Sequence, residues 1–148
     1  MQITIREAAD VDVPILLGLL YELGRPEPRI DSDVDCFRRL VKQYISEPDK
    51  KILVAVLDDV EIVGLLSIVF VTRLNQETPE LYVPELVVRE KYQNSGIGSK
   101  LIGSCIEIGR RKNCHRIRLE SGNRRTLSHQ FYRNLGFSQH AQSFAKKL

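Results

Sequence analysis

The segment Gln93-Asn94-Ser95-Gly96-Ile97-Gly98-Ser99 has the composition of an anion cradle. It lies between an apolar, strand-like stretch at 81–88 and a helix-like one at 97–112. A glycine-punctuated strand-to-helix turn leaves backbone N–H groups unpaired at the positive end of a helix dipole, which suits a phosphate or diphosphate. Glycine at 96 and 98 lets such a group approach the main chain where a side chain would hold it away. Many ordinary helices also begin after glycine, so the neighbours must decide the reading.

Charge supplies the first neighbour. The net charge of +3 conceals thirteen Lys/Arg against three Asp/Glu over residues 89–148, and nine against sixteen over residues 1–88. A basic half fits a polyanionic ligand, and an acidic half leaves room for a cationic one. No aromatic stacking ladder or nucleic-acid motif accompanies the basic half, and Trp is absent, so nucleic acid is not the expected partner. No stretch approaches the roughly 20 apolar residues that cross a bilayer. The N-terminus does not read as a signal peptide, so a membrane is not expected either. Cys36, Cys105 and Cys114 are odd in number and widely spaced. They read as reduced thiols of a cytoplasmic protein, without a disulfide framework or a metal site.

The elements that must position the turn follow from periodicity. With 148 residues and 43% apolar content, one domain over 1–148 is expected. A short strand at Ile3 and Ile5 precedes a helix capped by Asp10, with Ile15, Leu16, Leu19, Leu20 and Leu23 on one face and Gly24 as the stop. A proline-stiffened loop, 25–33, leads to a second helix from about Val34 to Ser46, with Phe37, Leu40, Val41, Tyr44 and Ile45 inward. Strands at 51–57 and 61–72 flank the turn Asp58-Asp59. A strand at 81–88 enters the glycine turn, and Pro84 marks it as irregular. The helix after the turn carries Ile97, Leu101, Cys105 and Ile108 on one face. A strand at 116–120, a helix at about 125–135 and a last strand at 137–146 complete the chain. The order β-α-α-β-β-β-α-β-α-β predicts an α/β (α+β) fold with a mixed, mostly antiparallel sheet and helices on both faces. It argues against a dinucleotide fold, whose phosphate turn follows the first strand.

Three segments carry a resemblance to a known family. Gln93-Asn94-Ser95-Gly96-Ile97-Gly98 resembles the Q/R-x-x-G-x-G/A turn of the GNAT N-acetyltransferase superfamily. Leu86-Val87-Val88 is similar to the strand end that precedes it there, and Phe131-Tyr132-Arg133-Asn134-Leu135-Gly136-Phe137 to the family's F-Y-x-x-x-G-F segment. The resemblance, which extends to the element order, implies acetyl-coenzyme A as co-substrate, with no metal. It implies that the amides of residues 93–98 and the Ser99 N–H and hydroxyl hold the diphosphate, with Gln93 closing the turn's outer side. The backbone of Leu86, Val87 and Val88 would pair with the pantetheine arm, and the Val87 or Val88 N–H would polarise the thioester carbonyl. Tyr132 stands at the general-acid position. Glu85 is a candidate base, on the key strand where relatives often carry Asp, Asn or Glu, although the commoner carboxylate positions one and three residues earlier hold Pro84 and Tyr82 here; Glu80 is the other acidic candidate. Lys100, Asn123 and Arg124 or Arg125 would approach the cofactor, or Asn123 would cap the last helix. His129 is read as structural.

The function so implied is direct acetyl transfer to a primary amine of a small molecule or peptide, without a covalent enzyme intermediate. The acceptor would lie among the 24–33 loop, the 73–80 loop and the C-terminal strands. Glu27, Asp31, Asp33, Glu77 and Glu80 there hint at a cationic acceptor. Relatives of this kind often pair, so a homodimer is an expected arrangement. The alternatives are an acetyl-coenzyme A sensor without turnover and a nucleic-acid-binding domain.

Overall fold

In the computed structural model, which describes residues 1–148, a tight hairpin organises the sheet. Asp58 and Asp59 both take positive φ, 50° and 59°, the geometry of a turn that matches strand twist. They join β2 (Lys50–Leu57) to β3 (Glu61–Val71). β1 (Ile3–Glu7) pairs antiparallel with β2, and a register shift falls between Ala55 and Val56. β3 carries two further antiparallel partners in succession, β4 (Glu80–Val83) and β5 (Leu86–Val88). The sheet order is β1-β2-β3-β4-β6, with β5 paired to β3 alone and β6 spanning Ile117–Leu119. The sheet is therefore open and mostly antiparallel, as the sequence predicts.

Side chains alternate across this sheet. On one face Ile52, Val54, Leu65 and Val87 pack with Leu16 and Leu19 of α1 (Val13–Glu22) and with Val41, Tyr44 and Ile45 of α2 (Asp31–Ser46). On the other lies α3 (Ile97–Arg111), with Ile97, Leu101, Ile102, Cys105 and Ile108 buried. A Cβ on Gly64 would sit 3.3 Å from Leu101 and 3.5 Å from Ile97, and one on Gly109 would sit 3.4 Å from Leu81. Both glycines therefore mark close approach of helix and sheet.

The chain divides into two compact units, residues 1–118 and 119–148. The second contains α4 (Thr126–Asn134), which ends on Leu135 and Gly136, the latter at φ 91°. Inside it Tyr132 meets Phe131 and Phe137 edge to face, with centroids 5.2 and 5.9 Å apart.

Several expectations need correction. The strand expected at 137–146 is not formed, and from Ser138 onward every residue is exposed. Its run of Ser, Gln and His leaves few apolar side chains to bury, so nothing repays ordering them. The strand expected over 81–88 is two strands, because Pro84 lacks an N–H and breaks the ladder. Asp10 does not cap the first helix. It opens a 3-10 turn, Asp10–Asp12, and the Asp12 carboxylate accepts the Ala9 N–H at 2.8 Å while pairing with Arg6. Ile15, expected in the core, is 40% exposed. Most informative is α2, where no residue is buried although its apolar stripe faces the sheet.

Candidate active site

The break between β4 and β5 sets the site. The Arg89 N–H donates to the Val63 carbonyl at 2.8 Å, and the Ser67 N–H to the Glu85 carbonyl at 2.9 Å. With Leu65 opposite Val87, residues 85, 87 and 89 turn their backbone groups toward β3. Antiparallel alternation then points the N–H groups of Leu86 and Val88 away from β3. Of the two amides that sequence leaves as alternatives for the thioester, Val87 faces the ladder and Val88 faces outward.

A short 3-10 turn, Glu90–Tyr92, connects β5 to the glycine turn. The Tyr92 hydroxyl donates to Glu61 at 2.9 Å, and the Ser95 hydroxyl donates back to the Tyr92 carbonyl. The Gln93 amide donates to the Val88 carbonyl at 3.1 Å. Gln93 thus ties the turn to the strand end, a role its place in the motif does not reveal. Asn94 has φ 62° and Gly96 φ 84°. Gly96 is the N-cap of α3, with no side-chain cap. The N–H groups of Ile97, Gly98 and Ser99 therefore have no partner within the helix. A Cβ on Gly96 would meet no protein atom within 4 Å, so this glycine is required by backbone conformation rather than by crowding. Lys100, in the first helical turn, is exposed.

Sequence reasoning misses two further anchors. Arg89 donates from Nε to the Ile62 carbonyl and from Nη1 to Glu22 at 2.7 Å, joining β5 to the end of α1. Ser67 donates to the Glu85 carboxylate at 2.6 Å and accepts the Glu85 N–H at 2.9 Å. The second Glu85 oxygen takes Arg25 at 2.8 Å. Both Glu85 oxygens are thus engaged, and the carboxylate is held in one place by the very break it follows. A polar residue facing a Pro-Glu break across a hairpin is the signal that would find this pair.

Glu85 closes the polar end of a cavity of about 290 Å³ between α1, α2 and the sheet. Arg25, Ser67 and Glu85 stand there, and the remaining walls are largely Leu16, Leu20, Phe37, Leu40, Val41 and Leu65. The Tyr44 hydroxyl, also on this wall, donates to the Ile68 carbonyl at 2.9 Å.

Glu80, the other acid, is enclosed by arginines. It is fully buried, with Arg116 and Arg118 on its oxygens and Arg73 at 3.4 Å. Burial pushes its carboxyl up, but the hydrogen bonds and charges of Arg118 and Arg116 outweigh that and hold it at about 2. It is part of the architecture, not of an acid-rich loop. Asp33 is likewise occupied, accepting the Arg29 N–H at 3.0 Å at the start of α2.

In the second unit, Tyr132 is half-buried on α4. Burial pushes its phenol up, and Arg125 partly offsets this, so the hydroxyl is a proton donor at neutral pH. Asn123 lies in a turn and does not cap the helix; Arg125 holds the N-cap position without a side-chain bond. His129 bonds the Gly122 carbonyl at 2.8 Å, which fits its structural reading.

An open, mostly antiparallel sheet thus lies beside a helix N-terminus without a side-chain cap. The chain belongs to the acetyltransferase (GNAT) family, whose model matches residues 17–137. Solved structures agree in fold. A transcriptional regulator from Bacillus halodurans C-125 superimposes with a TM-score of 0.88 at 26% identity, over 99% of this chain and 100% of that one. The aminoglycoside acetyltransferase AAC(6')-Iy, in complex with a coenzyme A bisubstrate analogue, gives 0.84 at 17%, over 100% and 99%. An aminoglycoside acetyltransferase from an uncultured soil metagenomic sample, in complex with sisomicin, gives 0.80 at 19%, over 99% and 96%.

Proposed function

We propose that this protein transfers an acetyl group from acetyl-coenzyme A to a primary amine by direct attack within a ternary complex. The observation that carries the reading is the uncapped turn 93–99, tied by Gln93 to a strand end whose outward backbone is unpaired by the sheet. The N–H groups of Ile97, Gly98 and Ser99 suit the diphosphate, with the Ser99 hydroxyl and Lys100 at the same end. The outward backbone of Leu86 and Val88 suits the amides of an extended pantetheine arm, as an added strand would.

Bound acetyl-coenzyme A supplies an activated thioester, and transfer forms a C–N bond, breaks the C–S bond, takes a proton from nitrogen and returns one to sulfur. The Val88 N–H, which points away from β3, is the candidate to favour negative charge on the acyl oxygen. Glu85 favours the amine end: its fixed carboxylate attracts an ammonium and can pass its proton on through water. Tyr132 is the candidate donor to sulfur, a role that requires the phenol to stay protonated, and burial ensures that. Asn123 and Arg125 remain candidates for the cofactor's outer phosphates. Burial also pushes the Cys105 thiol up, to about 12, so it is no nucleophile at neutral pH.

The test is a thermal-shift titration with acetyl-coenzyme A, followed by release of free thiol with an amine panel. Binding should raise the midpoint, and Tyr132→Phe should lower turnover about 100-fold while keeping that shift. A shift without turnover on any amine would favour an acetyl-coenzyme A sensor instead. No shift at all would overturn the reading.

A further inference from the structure

We infer that the acceptor is a primary amine carrying an apolar body, a branched alkyl chain or a single aromatic ring, and not a polycationic sugar. The inference rests on the acetyl-transfer reading above and narrows it. The cavity beside Glu85 has one polar end and otherwise largely hydrocarbon walls. The groups at that end already satisfy one another, Ser67 and Arg25 on the two Glu85 oxygens and Tyr44 on a backbone carbonyl. A ligand rich in hydroxyl and ammonium groups would find few partners for them there, and each unpaired buried polar group is costly.

Size points the same way. About 290 Å³ lies at the small end of ligand pockets, which run from about 300 to 1,000 Å³, and suits a ring or a short branched chain better than a multi-ring sugar. The helix that forms one wall of the cavity is itself incompletely covered. α2 turns an apolar stripe toward the sheet yet buries none of its residues, and Leu40 is 54% exposed. That helix is left partly uncovered where an apolar ligand would complete its packing.

The orientation follows from where the polar end lies. Glu85 directly precedes β5, so the cavity's polar end lies beside the strand whose outward N–H groups are proposed for the cofactor. The single amine needs only that end, beside β5, while the apolar body points inward between α1 and α2.

The test is a series of n-alkylamines from propyl to hexyl, with phenethylamine, spermidine and kanamycin. Amine binding is followed by calorimetry without acetyl-coenzyme A, and kcat/KM with it. Affinity and kcat/KM should each rise about fourfold per added methylene until the cavity fills, with spermidine and kanamycin at least tenfold poorer. Leu40→Asp, at an exposed position that folding tolerates, should weaken phenethylamine at least tenfold and improve spermidine. Val41→Phe should penalise phenethylamine more than propylamine. A normal acetyl-coenzyme A shift with a flat alkyl series, or with spermidine preferred, would overturn the inference and leave acetyl transfer standing. So would a preference for hexanoyl- over acetyl-coenzyme A with no discrimination among amines. Loss of the acetyl-coenzyme A shift itself would overturn both.

Discussion

The cofactor edge and the amine cavity meet at Pro84-Glu85, yet they are built from different materials. The edge is mostly main chain: outward amides of Leu86 and Val88 and unpaired N–H groups at the start of α3, with side chains such as Gln93 tying it together. The cavity is almost entirely side chain, supplied by α1, α2 and the inner face of β2 and β3. Backbone recognition tolerates most substitutions that keep φ and ψ, whereas a side-chain wall changes its preference with each residue. On the proposed reading, the cofactor belongs to the first region and the acceptor to the second.

The largest expected effect tests whether the edge really works through its backbone. Gly96 sits at φ 84° with open space where a Cβ would go, a conformation that Asn and Asp tolerate better than other residues. Gly96→Asn and Gly96→Asp have the same shape and differ in charge. The Asp variant should lose at least 100-fold in acetyl-coenzyme A affinity by calorimetry, about 3 kcal/mol or more. The Asn variant should stay within about tenfold. An acidic residue at a helix N-terminus otherwise stabilises, so the free Asp variant should melt no lower than the Asn one. Equal affinity in the two would break the distinction between the regions.

This division also explains what could be read from the residues alone. The turn, the hairpin at Asp58-Asp59 and the stop at Gly24 were legible because each depends on local backbone geometry that particular residue types favour. The cavity was not, since Ser67, Glu85 and Arg25 are brought together across 18 to 60 residues by strand register and helix packing. Acidic loop composition suggested a cationic acceptor, but Glu80 is buried among arginines and Asp33 binds backbone. Composition counts charges without knowing which are already paired. The unformed strand after Phe137 fails for a related reason: alternation there is present, but little of it is apolar.

Glu80 gives the next effect in size and marks the limit of the side-chain rule. Its carboxyl is held at about 2 against an ordinary 4.5. A lowered folded-state value contributes stability that is complete above about 4.5 and is lost as pH falls toward 2. The shift corresponds to about 3 kcal/mol. Glu80→Gln should therefore lose about that much at pH 7 by urea unfolding, and its stability should fall less steeply than the wild type's between pH 4.5 and 2. Acetyl-coenzyme A and amine affinities of the folded variant should be unchanged. A change in amine preference would mean that this cluster belongs to the acceptor region after all.

The smallest effect crosses from one region to the other. Gly64 lies on β3 opposite Val88, and a Cβ there would stand 3.1 Å from the Val87 carbonyl oxygen and 3.3 Å from Leu101. Leu101 can rotate, but a carbonyl held in the ladder cannot yield cheaply, so Gly64→Ala should destabilise by about 1 kcal/mol after the gain from reduced chain freedom. That corresponds to a fall of roughly 2–4 °C in Tm for a domain of this size. The strain falls on β5 and the start of α3, so acetyl-coenzyme A affinity should drop about threefold while amine binding by calorimetry stays level. The cavity lies on the opposite face of the sheet from the added methyl group, and only a rigid sheet would transmit the strain to it. Equal losses for both ligands would show that β5 moves as one body with the cavity wall, and that the two regions are mechanically one.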